Sequence, residues 1–225
     1  MDQQADAESN GQALRLRRVL PGAILTAVTT RRDYRLDPLL LDIDQSPAPG
    51  NTALIQHDET FWSQELRLQS PDDTADWRWR GGLFFSATER DGDDTRDFIA
   101  PVAPGVYLPI SQRTVFALDD EDYALIGLVT YGGVDRLGLT LGGRLDYAVR
   151  SIERTKTGTP PVPWPAVDDE ETYFTAAPEA ALDYELDPGL RVYARTVLGF
   201  KPGGFSAYVD APRSPAFDTE RNWAS

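Results

Sequence analysis

The stretch from Trp77 to Thr88, WRWRGGLFFSAT, decides the fold class of this chain. Its odd positions are Trp77, Trp79, Gly81, Leu83, Phe85 and Ala87, and its even positions include Arg78, Arg80, Gly82, Ser86 and Thr88. A period of two over more than ten residues is typical of a β-strand whose two faces meet different surroundings. The strand predicted here is about twice as long as the usual strand of a soluble protein.

The same alternation recurs along the chain and predicts an all-β, antiparallel protein with about eight long strands. The segments lie near residues 12–20, 23–34, 61–70, 75–90, 122–131, 136–153, 174–186 and 189–200. Short connections at 21–22, 71–74, 132–136 and 187–189 alternate with long stretches at 35–60, 91–121, 154–173 and 201–222. We therefore expect the four short turns at one end of the sheet, the long connections at the other, and little helix.

Facing side chains in a hairpin share one face of the sheet, and this rule tests the assignment. In the hairpin around 187–189 the expected pairs are Leu186 with Leu190, Tyr184 with Val192, Leu182 with Ala194 and Glu185 with Arg191. In the hairpin around 71–74, with Ser70 facing Ala75, the expected pairs are Leu68 with Trp77, Leu66 with Trp79 and Glu65 with Arg80. Apolar residues meet apolar residues, and acids meet bases. The exception is Arg67 opposite Arg78, which requires an anion, water or a nearby carboxylate.

Composition excludes several classes of protein. The 225 residues carry 22 basic and 36 acidic side chains, a net charge of -14, which opposes binding to nucleic acid. Cysteine is absent, so disulfides, thiolate metal sites and cysteine nucleophiles are excluded. No apolar stretch approaches the roughly 18 residues of a membrane helix, and the first residues lack the features of a secretory signal.

Long strands with one apolar face and one arginine-rich face predict a bacterial outer-membrane β-barrel. Lipid cannot satisfy backbone amides, so the sheet must close, with its apolar face outward and its polar face toward water. The side chains expected on the convex lipid side are Leu66, Leu68, Trp77, Trp79, Leu139, Leu141, Leu182, Tyr184, Leu190 and Val192, and those expected inside are Arg80, Arg144, Asp183 and Arg191. A secreted or cytoplasmic β-sandwich is the alternative, but strand length and loop asymmetry argue against it.

Four blocks of sequence resemble the TonB-dependent outer-membrane receptors. The most specific is FWSQELRLQSP at 61–71 with the tryptophan-rich segment at 77–85. The other blocks are LPGAILTAVTTRRDY at 20–34, DYALIGLVTYGGVDRLGLTLGGRLDY at 122–147 and AAPEAALDYELDPGLRVYARTVLGFKPGGFS at 176–206. Together they cover most of the chain.

The resemblance implies a barrel of about twenty-two strands with an N-terminal plug. Such a receptor sits in outer-membrane lipid and imports a scarce ligand, by default a ferric siderophore, with energy that the TonB system delivers through the plug. No energy-coupling box, plug-like segment or closing C-terminal strand is recognisable, and another strand begins near Asn222-Trp223-Ala224-Ser225. Residues 1–225 are therefore expected to be a partial barrel domain, a fragment or a truncated product.

A set of inward charges could line the permeation path or contact an anionic chelate, because arginine binds carboxylates and catecholates with a planar fork. The candidates are Glu65, Arg78, Arg80, Arg144, Asp146, Asp183, Arg191 and Arg195, together with Glu179 and Glu185. The alternative is that these residues only pair with one another along a charged wall. No catalytic residue, cofactor or metal site is predicted.

Other polar features are interpreted as structural or solvated. The acidic runs 91–94, 119–122 and 168–171 lack the spacing of a calcium loop, and we expect them to be solvated loop charge. His57, the only histidine, is expected to be exposed in a loop. The segment from Gly199 to Phe205 is expected to mark the point where a strand leaves the membrane.

Two other functional classes remain open at this point. An outer-membrane barrel enzyme would need a nucleophile and a base, yet no G-x-S-x-G motif occurs and His57 is the only histidine. A soluble β-sandwich that binds glycans would have to tolerate an outward face of tryptophan, leucine and phenylalanine. Among imported ligands, a vitamin, nickel or an oligosaccharide stays possible beside iron chelates.

Overall fold

The fold was obtained as a computed structural model that describes residues 4–43, 50–71, 75–161, 164–209 and 215–224. Eight long strands follow one another: β1 Gln4–Leu20, β2 Ala23–Asp42, β3 Asn51–Gln69, β4 Trp77–Ala103, β5 Val106–Val134, β6 Leu137–Thr159, β7 Val167–Asp187 and β8 Leu190–Lys201. Three short strands complete the described chain: β9 Gly204–Phe205, β10 Ala216–Phe217 and β11 Glu220–Ala224. The described residues form no helix, so none of membrane-spanning length or hydropathy occurs there.

All eight long strands belong to a single antiparallel sheet. The order is β1-β2-β3-β4-β5-β6-β7-β8-β11, so each strand from β1 to β8 pairs with its neighbours in sequence. β9 and β10 pair separately. Within the described residues the sheet is open, with β1 at one edge and β11 at the other. One continuous sheet contradicts the β-sandwich alternative, which needs two sheets packed face to face.

The predicted arrangement of the turns is confirmed. Because neighbouring strands are antiparallel, the connections β1–β2, β3–β4, β5–β6 and β7–β8 lie at the same end of the sheet. Gly22 and Gly189 adopt φ angles of 78° and 96° in two of these turns, a conformation that glycine reaches without steric cost. Part of the predicted 71–74 turn, residues 72–74, lies outside the described residues.

The long stretches at the opposite end are not loops, which corrects the sequence analysis. Most of 35–60, 91–121 and 154–173 continues as strand, and β4 and β5 meet at a tight turn around Gly105. The charged residues there misled the prediction, because strands that extend beyond lipid carry polar side chains on both faces. The acidic runs 91–94, 119–122 and 168–171 accordingly lie in β4, β5 and β7.

The predicted register is right in one hairpin and wrong in another. Between β7 and β8 the pairs Leu182–Ala194, Tyr184–Val192 and Glu185–Arg191 are confirmed, but Leu190 pairs with Asp187, because an irregularity follows Glu185. Between β3 and β4 the register is displaced by four residues, so that Leu68 faces Gly81, Leu66 faces Leu83 and Glu65 faces Phe84. The longer turn causes the displacement, and its even size leaves every side chain on the predicted face.

The two faces of the sheet differ as a barrel wall requires. In-register rows such as Leu66, Leu83, Leu125 and Leu145 share the apolar face, where their exposed fractions are 39%, 56%, 54% and 44%. The buried strand residues share the opposite face and are largely polar: Ile24, Thr26, Ser63, Ser86, Asp94, Thr114, Phe116, Ala124, Asp146, Ala148, Arg150, Ile152, Arg154, Lys156 and Thr175. Exposed leucine and buried arginine reverse the pattern of a water-soluble protein, and they indicate that the sheet curls toward its polar face.

We predict that a spin label at position 141 meets lipid and one at position 144 does not. Leu141 is exposed on the apolar face, whereas Arg144 lies on the polar face. In membranes, a lipid-soluble quencher should therefore reach the label at 141 more readily than the label at 144. Better access to position 144 would refute the assignment of faces.

Candidate functional site

Aromatic side chains border the apolar face at two levels. At the first level Trp62, Phe85, Tyr123 and Tyr147 contact one another in sequence, with ring centroids 5.3, 4.8 and 6.4 Å apart, and Phe174 pairs with Tyr147. At the second level, nearer the short turns, the rings of Trp77 and Tyr131 lie 4.5 Å apart. Aromatic girdles of this kind flank the lipid-facing band of transmembrane barrels.

The spacing of the two girdles fits the thickness of a membrane. Phe85 and Trp77, like Tyr123 and Tyr131, are separated by eight positions along one strand. At about 3.3 Å per residue this is roughly 26 Å along the strand, or roughly 20 Å of height at a usual barrel tilt. The lipid-facing band of such barrels is about 25 Å tall. We call the strand segments between the two girdles the membrane band.

All eight candidate site residues lie on the polar face, and most of them form ion pairs there. Within strands, Arg67 Nε lies 2.9 Å from Glu65 Oε1 and Arg144 Nε lies 2.7 Å from Asp146 Oδ1. Between strands, Arg195 Nε lies 2.9 Å from Glu179 Oε1, and Arg191 Nε lies 4.0 Å from Asp183 Oδ1. The predicted apposition of Arg67 and Arg78 is wrong, because Arg67 faces Gly82 and pairs with its neighbour Glu65. Asp146 is buried beneath Arg144.

Three of the candidates come together at the end with the short turns. Arg78, Arg80 and Asp183 line an open pocket of about 300 Å³, whose other walls include Gln69, Ser70, Thr130 and Thr140. Two guanidinium groups and several hydroxyl groups around one space suit an oxygen-rich anion or a polar protein segment. Glu65, Arg144, Asp146, Arg191 and Arg195 are not part of this pocket, so the eight candidates do not form one site.

A polar network that the sequence analysis missed begins above the membrane band. Glu59 bridges two strands, because Arg32 Nη2 lies 2.6 Å from its Oε1 and Arg90 Nη2 lies 2.6 Å from its Oε2. Partial burial raises the pKa of Glu59, but the hydrogen bonds and charges of both arginines outweigh burial and hold it below its usual value. Glu59 thus remains an anion that ties β2, β3 and β4 together.

Arg150 is the centre of a second group of charges, on β5 and β6. Its side chain is only 8% exposed and contacts Asp122 Oδ1 at 2.5 Å and Asp120 Oδ1 at 3.3 Å. It also donates to the carbonyl oxygen of Glu121 at 2.8 Å. Two carboxylates of the predicted acidic run 119–122 are therefore paired on the inner wall, which corrects their interpretation as solvated loop charge.

The chain that follows β8 folds back over the polar face near the long-connection end. We call residues 202–209 the strap. Arg154 Nη1 donates to the carbonyl oxygens of Ala207 and Val209 at 3.1 and 2.6 Å, and Lys156 Nζ lies 3.4 Å from that of Tyr208. Gly203 packs so closely on Tyr173 and Phe217 that any side chain would collide with them. The predicted structural role of 199–205 is therefore supported, with Lys201 as the last residue of β8.

His57 and Asp94 hold the strap through Tyr208. Tyr208 Oη donates to Asp94 Oδ2 at 2.5 Å and lies 3.2 Å from His57 Nε2, and His57 Nε2 is 3.1 Å from Asp94 Oδ2. Phe116 supports the cluster with ring centroids 5.5 Å from His57 and 5.9 Å from Tyr208. Burial and then the bond to Asp94 raise the pKa of Tyr208 far above its usual value. His57 is therefore not an exposed loop residue, as predicted, but a partly buried residue of β3.

A signal for these missed residues was present in the sequence. The even positions of β4, β5 and β6 continue beyond the membrane band as Arg90, Gly92 and Asp94, as Phe116, Asp120 and Asp122, and as Arg150, Ile152, Arg154 and Lys156. Their period of two matches that of the band itself. The contacts of Tyr208 left no such signal, because a strap that crosses several strands has no periodicity.

We predict that Arg150→Ala destabilises the wall by about 3 kcal/mol, the lower end of the range for breaking a buried pair, since Asp120 is partly exposed. Arg113→Ala is the control: its pair with Asp93 is largely exposed and is worth about 0–1 kcal/mol. Denaturant unfolding of the protein reconstituted in lipid measures both. Equal losses for the two variants would contradict the role of Arg150.

Comparison with known proteins agrees with this geometry. A family model described as TonB dependent receptor-like, beta-barrel, matches residues 5–224. The ferric yersiniabactin uptake receptor FyuA of Yersinia pestis superposes with a TM-score of 0.83 at 16% identity, over 98% of this chain and 33% of that one.

Two further receptors share the fold. The siderophore receptor PiuA of Acinetobacter baumannii has a TM-score of 0.62 at 12% identity, over 89% of this chain and 33% of its own. The ferric-catecholate import receptor Fiu of E. coli K12 has a TM-score of 0.56 at 12% identity, over 89% of this chain and 34% of its own. The chain thus spans about a third of the length of the solved structures it matches. With the family model covering nearly all of it, this chain belongs to the TonB-dependent receptor β-barrel family.

Proposed function

We propose that this chain forms part of the wall of an outer-membrane receptor that takes up a ferric siderophore with energy from the TonB system. The family match over residues 5–224 carries the proposal. The names of the similar solved structures, FyuA, PiuA and Fiu, describe receptors for ferric or siderophore ligands. The membrane band supports placement in a bilayer, and the arginine-rich inner face suits passage of an anionic chelate.

The wall would be completed by sequence beyond this chain. Both sheet edges in the described residues present strand backbone, and unpaired amides in lipid cost several kcal/mol each. We propose that further strands pair with β1 and β11, and that a plug inside the barrel receives energy from TonB. The pocket lined by Arg78, Arg80 and Asp183 faces the interior at the short-turn end and could contact such a plug.

The other functional classes are less well supported. The family and the solved relatives are transport receptors, whereas an enzyme needs a nucleophile beside a base. Among the described residues, the Nε2 atom of His57 contacts Asp94 and the phenol of Tyr208 and no serine or threonine hydroxyl. The one hydroxyl group in this arrangement, the phenol of Tyr208, donates to Asp94 and attaches the strap to the wall.

The uptake proposal is tested with the whole receptor that contains this chain. Expressed in a bacterium that lacks its own siderophore receptors, it should support uptake of radioactive iron from one class among phenolate, catecholate and hydroxamate chelates. The same cells without TonB are the control and should take up none. A receptor that reaches the outer membrane but transports no ferric chelate, or imports only a vitamin, nickel or an oligosaccharide, would contradict the proposal.

We also predict that residues 1–225 alone, fused to a signal peptide, import nothing. The open edges should instead cause aggregation or pairing between copies, because each edge exposes unpaired backbone. Growth of an uptake-deficient bacterium on a ferric siderophore measures the outcome, with the whole receptor as positive control. Energy-dependent growth on the short chain would show that it is a complete transporter.

A further inference from the structure

The cluster of His57, Asp94 and Tyr208 has a geometry that the proposed function does not use. Its three polar atoms, His57 Nε2, Asp94 Oδ2 and Tyr208 Oη, are separated by 3.1, 3.2 and 2.5 Å. They come from three different parts of the chain, namely β3, β4 and the strap. The three atoms therefore converge on one point of the inner wall.

These separations are close to those between adjacent ligands of one metal ion. Metal bonds to nitrogen and oxygen of about 2.1 Å place two ligands at right angles about 3.0 Å apart. Both distances from His57 Nε2 fit this value. The two oxygens are closer, at the length of the hydrogen bond that joins them, and would separate by a few tenths of an ångström around an ion.

From this convergence we infer a metal site of three protein ligands, His57, Asp94 and Tyr208, that binds ferric ion and locks the strap to the wall. Two of the three ligands are carboxylate and phenolate oxygens, hard donors that suit a highly charged ion, and imidazole is a common iron ligand. On coordination the phenol releases its proton to solvent. Three protein ligands leave the remaining positions for water or for oxygen atoms of a chelate.

Neighbouring groups hold two of the proposed ligands in place. Asp94 Oδ1 accepts a hydrogen bond from the backbone nitrogen of Gln56 at 3.3 Å, which turns Oδ2 toward the other two donors. The edge-to-face contact with Phe116 holds the His57 ring, and Gly92 leaves room for the Phe116 ring. The side chains of His57 and Asp94 are 22% and 10% exposed, so the point of convergence can be reached from solvent.

One of the three proposed ligands is a tyrosine, so the site is not apparent from the positions of histidine and carboxylate side chains alone. No group of three or more histidine, cysteine, aspartate or glutamate side chains placed to hold a metal occurs in the described part of the chain. Here the third donor is a tyrosine from a segment about 150 positions away in sequence from His57. The inference goes beyond chelate uptake, since the ion is held by the wall itself.

The test uses the purified whole receptor in detergent, with Fe³⁺ added as its nitrilotriacetate complex and unbound iron removed by gel filtration. One ion per receptor should remain, with the visible absorption of an iron–phenolate bond. Tyr208→Phe, which keeps the ring against Phe116, should abolish the absorption and weaken iron binding by more than the roughly 10- to 100-fold that loss of an outer-shell partner costs. His57→Ala should weaken binding to a similar extent.

Tyr193→Phe is the matched control, because Tyr193 lies on the inner face of β8, is 79% exposed and takes no part in the cluster. It should retain both the iron and the absorption. Absence of retained iron in the unmodified receptor, retention of Zn²⁺ but not Fe³⁺, or unchanged absorption in Tyr208→Phe would each overturn the inference. In those cases the cluster is a hydrogen-bonded anchor only, and uptake of radioactive iron from a chelate, measured separately, still decides the proposed function.

Discussion

The constraint on which the structure depends is that lipid offers no hydrogen bonds to a peptide backbone. It requires every strand to pair along its whole length, and it requires the side chains on one face to be apolar over the height of a bilayer. The in-register row of Leu66, Leu83, Leu125 and Leu145 meets the second requirement. The pairing of β1 to β8 in sequence order serves the first, and the edges at β1 and β11 are open among the described residues. All polar function is therefore confined to the other face and to the region above the girdle.

The inner wall divides into two zones with different electrostatics. Within the membrane band, Arg144 with Asp146 and Arg67 with Glu65 are ion pairs between residues two positions apart on one strand. Above the band, Glu59 and Arg150 each bridge several partners on adjacent strands. Bridges of this kind keep strands paired where lipid no longer enforces pairing. They explain how β4 and β5 extend to 27 and 29 residues, far beyond what a membrane requires.

The strap lies over a group of closely buried residues on the inner wall. Ala148, Ile152 and Phe116 are 1%, 1% and 4% exposed beneath or beside it, and Ala207 of the strap is 3% exposed. Its peptide carbonyls accept hydrogen bonds from Arg154 Nη1, whereas the Nε of Arg154 is buried without a partner among the described residues. Three features together hold the strap against the curved polar surface. They are a small apolar centre, the hydrogen bonds from Arg154 and Lys156 to carbonyl oxygens, and the Tyr208 cluster.

The sequence by itself determined the fold class, the order of the strands, the end at which the short turns lie and the face on which each predicted side chain sits. These features follow from the alternation of apolar and polar residues with a period of two. A register that is wrong by four residues, as in the β3–β4 hairpin, leaves each side chain on the same face, because four is an even number. The family resemblance followed from local blocks and was confirmed.

Only the tertiary structure decided how far the strands extend, which charges pair, and that His57 meets Tyr208. Beyond lipid, both faces of a strand are polar, so the hydrophobic pattern ends before the strand does. Pairs such as Arg90 with Glu59 depend on register over many residues. The contact between the strap and His57 joins residues distant in sequence, and it depends on the curvature of a whole sheet, which no local pattern encodes.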